Sequence, residues 1–560
     1  MGAMRPTALF SSQGIYTGIL LFIAGMGGFL YGYDIGIIGA ALLYVGKSIS
    51  LTLSEESLVV AAVLAGSTIS SLVAGVLADW IGRKKLMIAA ALLFIGSVIL
   101  MVMAQNFPLL FSGRVLQGLS AGMIAVVIPL YLAESLPAGI RGMGTAAFQL
   151  LLTCGILLAL KVGAYYTQGV ATVDIHDTVR LAQAQDYAWR AMFQSALYPA
   201  LLFLAGSFYV AESPRWLLRH GRNEQAKKVL GRSRTTPEVE VEFGEMAKSL
   251  QAEHGSDAAA RDSLWQRKYI VPFLLSCAVL GLTQATGINS ILQFIVIILR
   301  QGGLSETVAA DRATQAAAVN VLFTVVGLLL VERIGRKALL KIGTAGIVLA
   351  LVLAAGAFYS GESQQVDVTK AVQSHVVNGT LTVRVDALEL GQPPDAAPAQ
   401  LAVLYRMGDD EKLISGFSNS SDSSLRVPAD LKESPIIIER AKYGPVPSAA
   451  TGNFIMGCLM LFFASFAVGP GVCVWLALSE LMPTRIRSLG MGLGLLINQG
   501  ISTIIAALFL PLAGNYGYAV VFIFWAACTV AYFLIAAIWL PETKGKTLEE
   551  IEDHFAGKST

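Results

Sequence analysis

The sequence predicts an all-α membrane protein. It reads as twelve transmembrane helices in two six-helix parallel-repeat halves, with a small extracytoplasmic β-rich insert. Three observations carry this prediction. First, the 560 residues are 55% hydrophobic and 14% charged, and the mean hydropathy is +0.64, whereas a soluble domain carries about a quarter charged residues. Second, apolar windows of about 20 residues, enough for one spanning helix, occur twelve times. Third, three charged motifs appear twice in the same order.

The windows lie near 14–40, 56–78, 86–104, 109–133, 144–167, 189–211, 268–299, 310–331, 338–358, 452–480, 488–514 and 517–540. Tyr269 to Leu299 carries no Asp, Glu, Lys or Arg. Neither does Ser488 to Leu540, which is long enough for two helices with a turn at PLAGNYG, 511–517. The apolar run from Ile15 is too long for a secretory signal, and the first residues lack a cleavage site, so it reads as the first span. Basic clusters at 82–85, 141–142, 219–228, 335–337, 485–487 and 543–546 follow every second span. The positive-inside rule makes these cytoplasmic and places both termini there, in a multi-pass protein of the cell membrane.

The repeat shows in pairs: GVLADWIGRKK (75–85) with LVERIGRK (330–337), AESLPAGIRG (133–142) with LSELMPTRIRS (478–488), and AESPRWLL (211–218) with PETKGKTLEE (541–550). It divides the chain into an N-terminal half, 1–211, a cytoplasmic helical linker, 212–267, and a C-terminal half, 268–560. Arg83 to Glu134 is a step of 51 residues and Arg336 to Glu480 one of 144, an excess of 93. The excess falls in the insert, 359–449, whose alternating runs LTVRVDALEL (381–390) and LAVLYRMGDDEKLISGF (401–417) read as strands; a disordered loop is the alternative. Parallel repeats with a site between them at the midplane imply alternating access.

The five cysteines sit in apolar segments without metal-ligand spacing, and the five histidines lie outside the spans. No metal or cofactor is expected, and intramembrane proton chemistry would need a carboxylate. The chain contains no phosphate loop, zinc-protease motif or nucleophile elbow, so it does not read as an enzyme. The expected partners are a small molecule and the lipid bilayer, with protons added by the resemblance described below, without nucleic acid and as a monomer.

These motif pairs, together with TQATGIN (283–289), VNVLFTVVGLLLVERIGRK (319–337) and VGPGVCVW (468–475), resemble the sugar porter family of the major facilitator superfamily. That family includes bacterial sugar/proton symporters and facilitative glucose transporters. The resemblance covers nearly the whole chain outside the insert and implies transport of a hexose, pentose or polyol. It also implies a salt-bridge network that latches the outward-facing state, formed by Asp79, Arg83, Glu134, Arg141, Glu212, Arg215, Glu332, Arg336, Glu480 and Arg487. Solvated helix ends obeying the positive-inside rule are the plainer reading of any single charge.

Amides are scarce within the spans, and Gln149, Gln284, Asn289, Asn320 and Asn498 align with sugar-contacting positions of the family. An amide both donates and accepts, as a sugar hydroxyl does, while staying neutral. Alone, each would read equally as interhelical glue. Trp475 matches the family's ring-stacking tryptophan, and an interfacial tryptophan is its alternative. Tyr31 is a candidate for the pocket wall or an ordinary core aromatic. The chain departs from the family at Thr283, at Gln293-Phe294 and at Gln499, which stands where a second tryptophan is usual, so a more polar pocket is expected.

Asp34 is the one carboxylate expected well inside a span, and Arg114 its natural partner. A buried carboxylate can carry a proton if its cation approaches in only one conformation. Proton-coupled family members carry this pair, so the resemblance implies symport, and a static ion pair is the alternative. A uniporter of the same fold and a transport-deficient sugar sensor remain the competing functions; the ten residues after PETKGKTLEE make a short tail for a sensor.

Overall fold

The computed structural model describes residues 12–49, 51–137, 140–174, 177–255, 266–377, 380–385, 399–407, 410–418, 424–427, 435–445, 447–473, 481–482, 487–542, 550 and 555. Among them are twelve helical spans long and apolar enough to cross a membrane, from Gln13–Ser48 to Tyr518–Ile538. In hydrocarbon every backbone N–H and C=O must find its partner within the segment, which is why each apolar run becomes a helix.

The first five spans are α1 (Ser12–Ser48), α2 (Leu53–Ile81), α3 (Arg83–Val102), α4 (Phe107–Ser135) and α5 (Arg141–Ala171). The sixth is made of α6 (Thr178–Ser195) and α7 (Leu197–Tyr209). Several helices start at side-chain caps: Thr52 and Glu55 form a capping box on α2, and Asn106 caps α4. Two spans outrun their apolar windows at one end by a full two turns or more. α1 continues to Ser48 because ALLYV, 41–45, stays apolar and buried, and α6 starts at Thr178, capped by Asp177, because TVRLAQAQ is an amphipathic lead-in.

Three short helices, α8 (Pro214–Arg219), α9 (Asn223–Leu230) and α10 (Thr236–Gly255), form the polar stretch after the sixth span. They close on Trp216, Leu217, Ala226 and Leu230. The seventh span is broken into α11 (Arg267–Ala285) and α12 (Ile288–Gln301) at Gly287. That residue has φ +83, and a Cβ there would strike the Trp525 ring, so both the backbone region and the close approach demand glycine.

α13 (Glu306–Ile334) and α14 (Arg336–Glu362) follow, and then the insert. Its elements are β1 (Val366–Asp367), α15 (Thr369–Gln373), β2 (Val376–Val377), β3 (Thr380–Arg384), β4 (Ala399–Met407), β5 (Asp410–Phe417), β6 (Ser424–Val427) and β7 (Ile436–Pro445). They form two antiparallel sheets, ordered β1-β7-β4-β5 and β2-β3-β6. Of the first expected strand run, 381–384 lies in β3 and 386–390 falls outside the described residues; the second run gives the β4–β5 hairpin. Leu381, Val383, Leu401, Val403, Ile438 and Tyr443 are its buried core. β1 pairs with β7, so the insert is rooted on two adjacent strands, one leaving α14 and one entering α16 (Ala449–Val468).

The last spans are α17 (Arg487–Tyr516) and α18 (Tyr518–Ile538). Within the first six spans α1 packs on α5 and α2 on α4; within the last six, α14 packs on α16 and α18. The two groups meet where α17 lies on α2, α13 on α5 and α12 on α1.

Candidate functional site

The break at Gly287 places polar side chains of α11 and α12 opposite α17. Gln284 Nε2 donates to Asn498 Oδ1 at 3.2 Å, and Asn289 Nδ2 donates to Gln284 Oε1 at 2.9 Å and to Ser502 Oγ at 2.8 Å. Asn498 Nδ2 donates to the Leu280 carbonyl at 3.0 Å. Three of the amides singled out in the sequence are therefore one connected set. A solute's hydroxyls could exchange for these bonds, because every member both donates and accepts.

Other candidates lie apart from this set. Thr283 bonds the Val279 carbonyl and lies 3.0 Å from Tyr532 Oη, so it faces α18. Asn320 is buried on α13 and Gln149 half-buried on α5, and among the described residues neither bonds to the set. Trp475 lies outside the described residues. Ser502 and Tyr532, which the sequence reading did not name, complete the local bonding; Ser502 lies one helical turn after Asn498, a spacing that could have flagged it, whereas Tyr532 sits among apolar neighbours that give no signal.

Across the interface, Gln499 Nε2 donates to Tyr31 Oη at 3.4 Å and to Ser67 Oγ at 3.2 Å. Tyr31 lies one turn from Asp34 on α1. Asp34 and Arg114 are fully buried and joined, Arg114 Nη1 donating to Asp34 Oδ1 at 2.8 Å. The same nitrogen donates to Gln117 Oε1 at 2.7 Å, and Arg114 Nε donates to the Val59 carbonyl at 3.2 Å. Gln117 is a further member of this cluster. It follows Arg114 by three residues and so shares its helix face. Asp34 Oδ2 and Arg114 Nη2 are buried without hydrogen-bond partners. Removing either member would leave a charge buried alone, the costly case.

The charged motifs gather at the end of the bundle opposite the insert. Arg83 Nη2 lies 2.8 Å from both Asp79 and Glu134, and Arg83 is almost wholly buried. Glu134 also accepts from Ser213 Oγ. Glu212 Oε1 accepts from the Arg83 N–H at 2.8 Å and the Lys84 N–H at 3.2 Å, capping α3 where helix dipole and free N–H groups favour a carboxylate. Glu542 does the same for α14, accepting from the Arg336 N–H at 3.0 Å and the Lys337 N–H at 3.1 Å. Each capped turn holds a glycine of nearly equal φ, +98 at Gly82 and +99 at Gly335. The repeated GRK motif and its distant glutamate are thus one structural device used twice.

Arg215 is half-buried on α8. Glu480 is outside the described residues. Arg141, Glu332 and Arg487 lie on described helices whose side chains at those positions are not described. The described ion pairs join α2, α3 and α4 within the first six spans, the Glu542 cap lies within the last six, and none of these described contacts bridges the interface. Bridging contacts lie instead toward the insert: Lys47 with Glu306 at 3.3 Å, Gln168 with Asp311 at 3.1 Å, and the Leu510 N–H with Ser57 Oγ at 3.2 Å. Among the described residues no group of His, Cys, Asp and Glu is arranged to hold a metal ion.

The family description "Sugar (and other) transporter" matches residues 20–381 and 437–555, leaving out most of the insert. The chain is 28% identical to a glucose transporter of Staphylococcus epidermidis over 95% of its own length and 96% of the relative's. It is 28% identical to the galactose-proton symporter of Escherichia coli, with 96% and 94% covered. It is 27% identical to the human proton myo-inositol cotransporter, with 96% and 81% covered. A partially occluded, inward-open structure of the E. coli xylose transporter superposes with a TM-score of 0.68 at 21% identity, covering 95% of this chain and 99% of that one. The match of twelve spans, repeated motifs and family description has one meaning: the chain is a multi-pass membrane protein belonging to the sugar transporter family of the major facilitator superfamily.

Proposed function

We propose that this protein carries a hexose, pentose or polyol by alternating access and couples it to proton entry. The two units that move are residues 1–211 and 268–560, joined by the cytoplasmic linker 212–267. The insert, 359–449, faces the extracytoplasmic side, and both termini lie in the cytoplasm.

One observation carries the coupling: the Asp34 carboxylate is buried against Arg114 with one oxygen unbonded. Protonation at that oxygen removes the charge that holds Arg114, and the pair can then separate as α1 and α4 rearrange. Deprotonation on the other side restores the pair and resets the carrier. Substrate sits on the amide set of Gln284, Asn289 and Asn498. The caps at Glu212 and Glu542, with the Arg83 network, hold the cytoplasmic turns of each unit. The inter-unit contacts at Lys47, Gln168 and Ser57 favour a state closed toward the outside.

The reading is tested by uptake of radiolabelled hexoses, pentoses and polyols into proteoliposomes by wild type and Asn289→Ala. Saturable uptake of at least one compound is expected in wild type. Asn289 exchanges its bonds to Gln284 and Ser502 for bonds to the substrate's hydroxyls; the variant cannot make these, at about 1 kcal/mol each, so its KM for that compound should rise about tenfold or more. Absence of saturable uptake and of binding for the whole panel would refute the proposal.

A further inference from the structure

The four-stranded sheet of the insert, ordered β1-β7-β4-β5, has its two edges on different units. The β1 edge is rooted on the C-terminal unit. β1 leaves α14, and Val366 and Asp367 pair with Tyr443 and Lys442 of β7, which leads to α16. This root is fastened to the turn between α17 and α18. Glu362, the last residue of α14, accepts from the Tyr518 N–H at 2.6 Å, beside Gly517 at φ +94. Phe358, one turn earlier, stacks on the Tyr518 ring with centroids 5.2 Å apart. Arg440 of β7 donates to the Asn515 carbonyl. The root, α14 and the α17–α18 turn therefore form one body. Three strand spacings away, about 14 Å, the β5 edge lies on α2, a helix of the first six spans.

The end of α2 nearest the insert also carries direct contacts with α17. A Cβ at Gly514 would come within 3.0 Å of Leu53, and Ser57 Oγ accepts from the Leu510 N–H at 3.2 Å. Alternating access parts these ends of the two units. A sheet fixed to one unit at several points must then leave the other at its far edge. We propose that the insert is a strap across the mouth on its own side: β5 seated on α2 holds the carrier closed there, and lifting of that edge is a required step of opening toward the insert. The strap has no hinge of its own and travels with α14 and the α17–α18 turn. Seating lowers the fraction of carriers whose site is open on that side, and so weakens apparent affinity for substrate arriving there. This rests on the carrier reading above and adds the regulation of its gate.

The test is a reversible tether in the full chain. The Gly416 position of β5 lies against Leu425 and Val385 of the insert's own core, so positions 413, 415 and 417 alternate to the strand's other face. Leu413→Cys, Ser415→Cys and Phe417→Cys are each combined with Ser54→Cys or Leu58→Cys, both exposed on the first turns of α2. Each pair is oxidised in proteoliposomes, and uptake of labelled D-glucose, D-xylose and myo-inositol is measured before and after reduction. At least one pair is expected to link and to lower uptake about tenfold or more, with recovery on reduction. Failure of every pair to link overturns the strap. Equal uptake in linked and reduced protein overturns it too, and leaves the carrier reading intact; only a reduced protein without saturable uptake of any probe would remove both. A second measurement needs no transport. With 366–443 replaced by a short glycine-serine linker, which joins neighbours because Gln365 already lies against Gly444, the buried position Ser57→Cys should react with a thiol reagent about fivefold faster while the buried Cys458 keeps its rate. An unchanged rate at Ser57→Cys overturns the strap.

Discussion

Asp34→Asn is expected to abolish accumulation of substrate against its gradient while leaving exchange of labelled for unlabelled substrate in place. The substitution keeps the side chain's shape and replaces one carboxylate oxygen by an amide nitrogen, so the titratable group and the counter-charge of Arg114 are both lost. Arg114 then has no charge to release or recapture, although Gln117 Oε1 and the Val59 carbonyl still hold it. The Arg114 environment is thus fixed in something close to its proton-loaded state, in which the units can still rock with substrate bound. Uptake driven by an imposed inward proton gradient should fall to the level set by diffusion down the substrate gradient. Counterflow should continue at a rate comparable to wild type. Gradient-driven accumulation that survives in Asp34→Asn would assign the coupling elsewhere and leave the Asp34–Arg114 pair as a packing feature.

The second large effect concerns the charged network at the end of the bundle opposite the insert. Arg83→Ala removes the cation from between Asp79 and Glu134, whose side chains are 58% and 5% exposed. Asp79 can turn to water. Glu134 cannot, and it keeps only Ser213 as a described partner. Breaking a buried pair in this way costs about 3–5 kcal/mol, so a marked fall in the Tm of the detergent-solubilised protein is expected. Arg83→Ala combined with Glu134→Ala strands no charge and should recover much of that loss. If the single and double variants unfold at the same temperature, the network owes its presence to solvated helix ends rather than to pairing.

Much of this was legible in the sequence because membrane physics writes long, simple signals. Apolar length fixed the spans, and the repeated GRK motifs marked the turns at Gly82 and Gly335, but the capping of each turn by a distant glutamate, Glu212 or Glu542, showed only in the fold. Asp34 stood out because a carboxylate inside a span has few uses. What escaped was contact information that no pattern encodes. Gln117 shares a face with Arg114, yet a glutamine within SGRVLQGLSAG reads as an ordinary polar residue. Tyr532 is an uncharged hydroxyl among apolar neighbours, Ser502 one of two adjacent hydroxyls after Asn498, and only the fold brings them to Thr283 and Asn289. Gln499 was visible as a departure from a family pattern, but its reach across to Tyr31 and Ser67 depends on how α17 packs on α2. Thr283 shows the converse. Its place beside Gln284 suggested the pocket, while the helix turns its hydroxyl to α18. The breaks at Ala196 and Gly287 were likewise hidden, because a continuous apolar run looks the same whether its helix is whole or divided.

The central claim, that substrate and proton move together, is tested most directly by recording the external pH of a lightly buffered suspension of wild-type proteoliposomes when a transported sugar or polyol is added without any imposed gradient. The expected result is an immediate alkalinisation of the medium, scaling with substrate concentration and abolished by Asp34→Asn. Uptake of the same substrate with no change in external pH would contradict it and make the protein a uniporter.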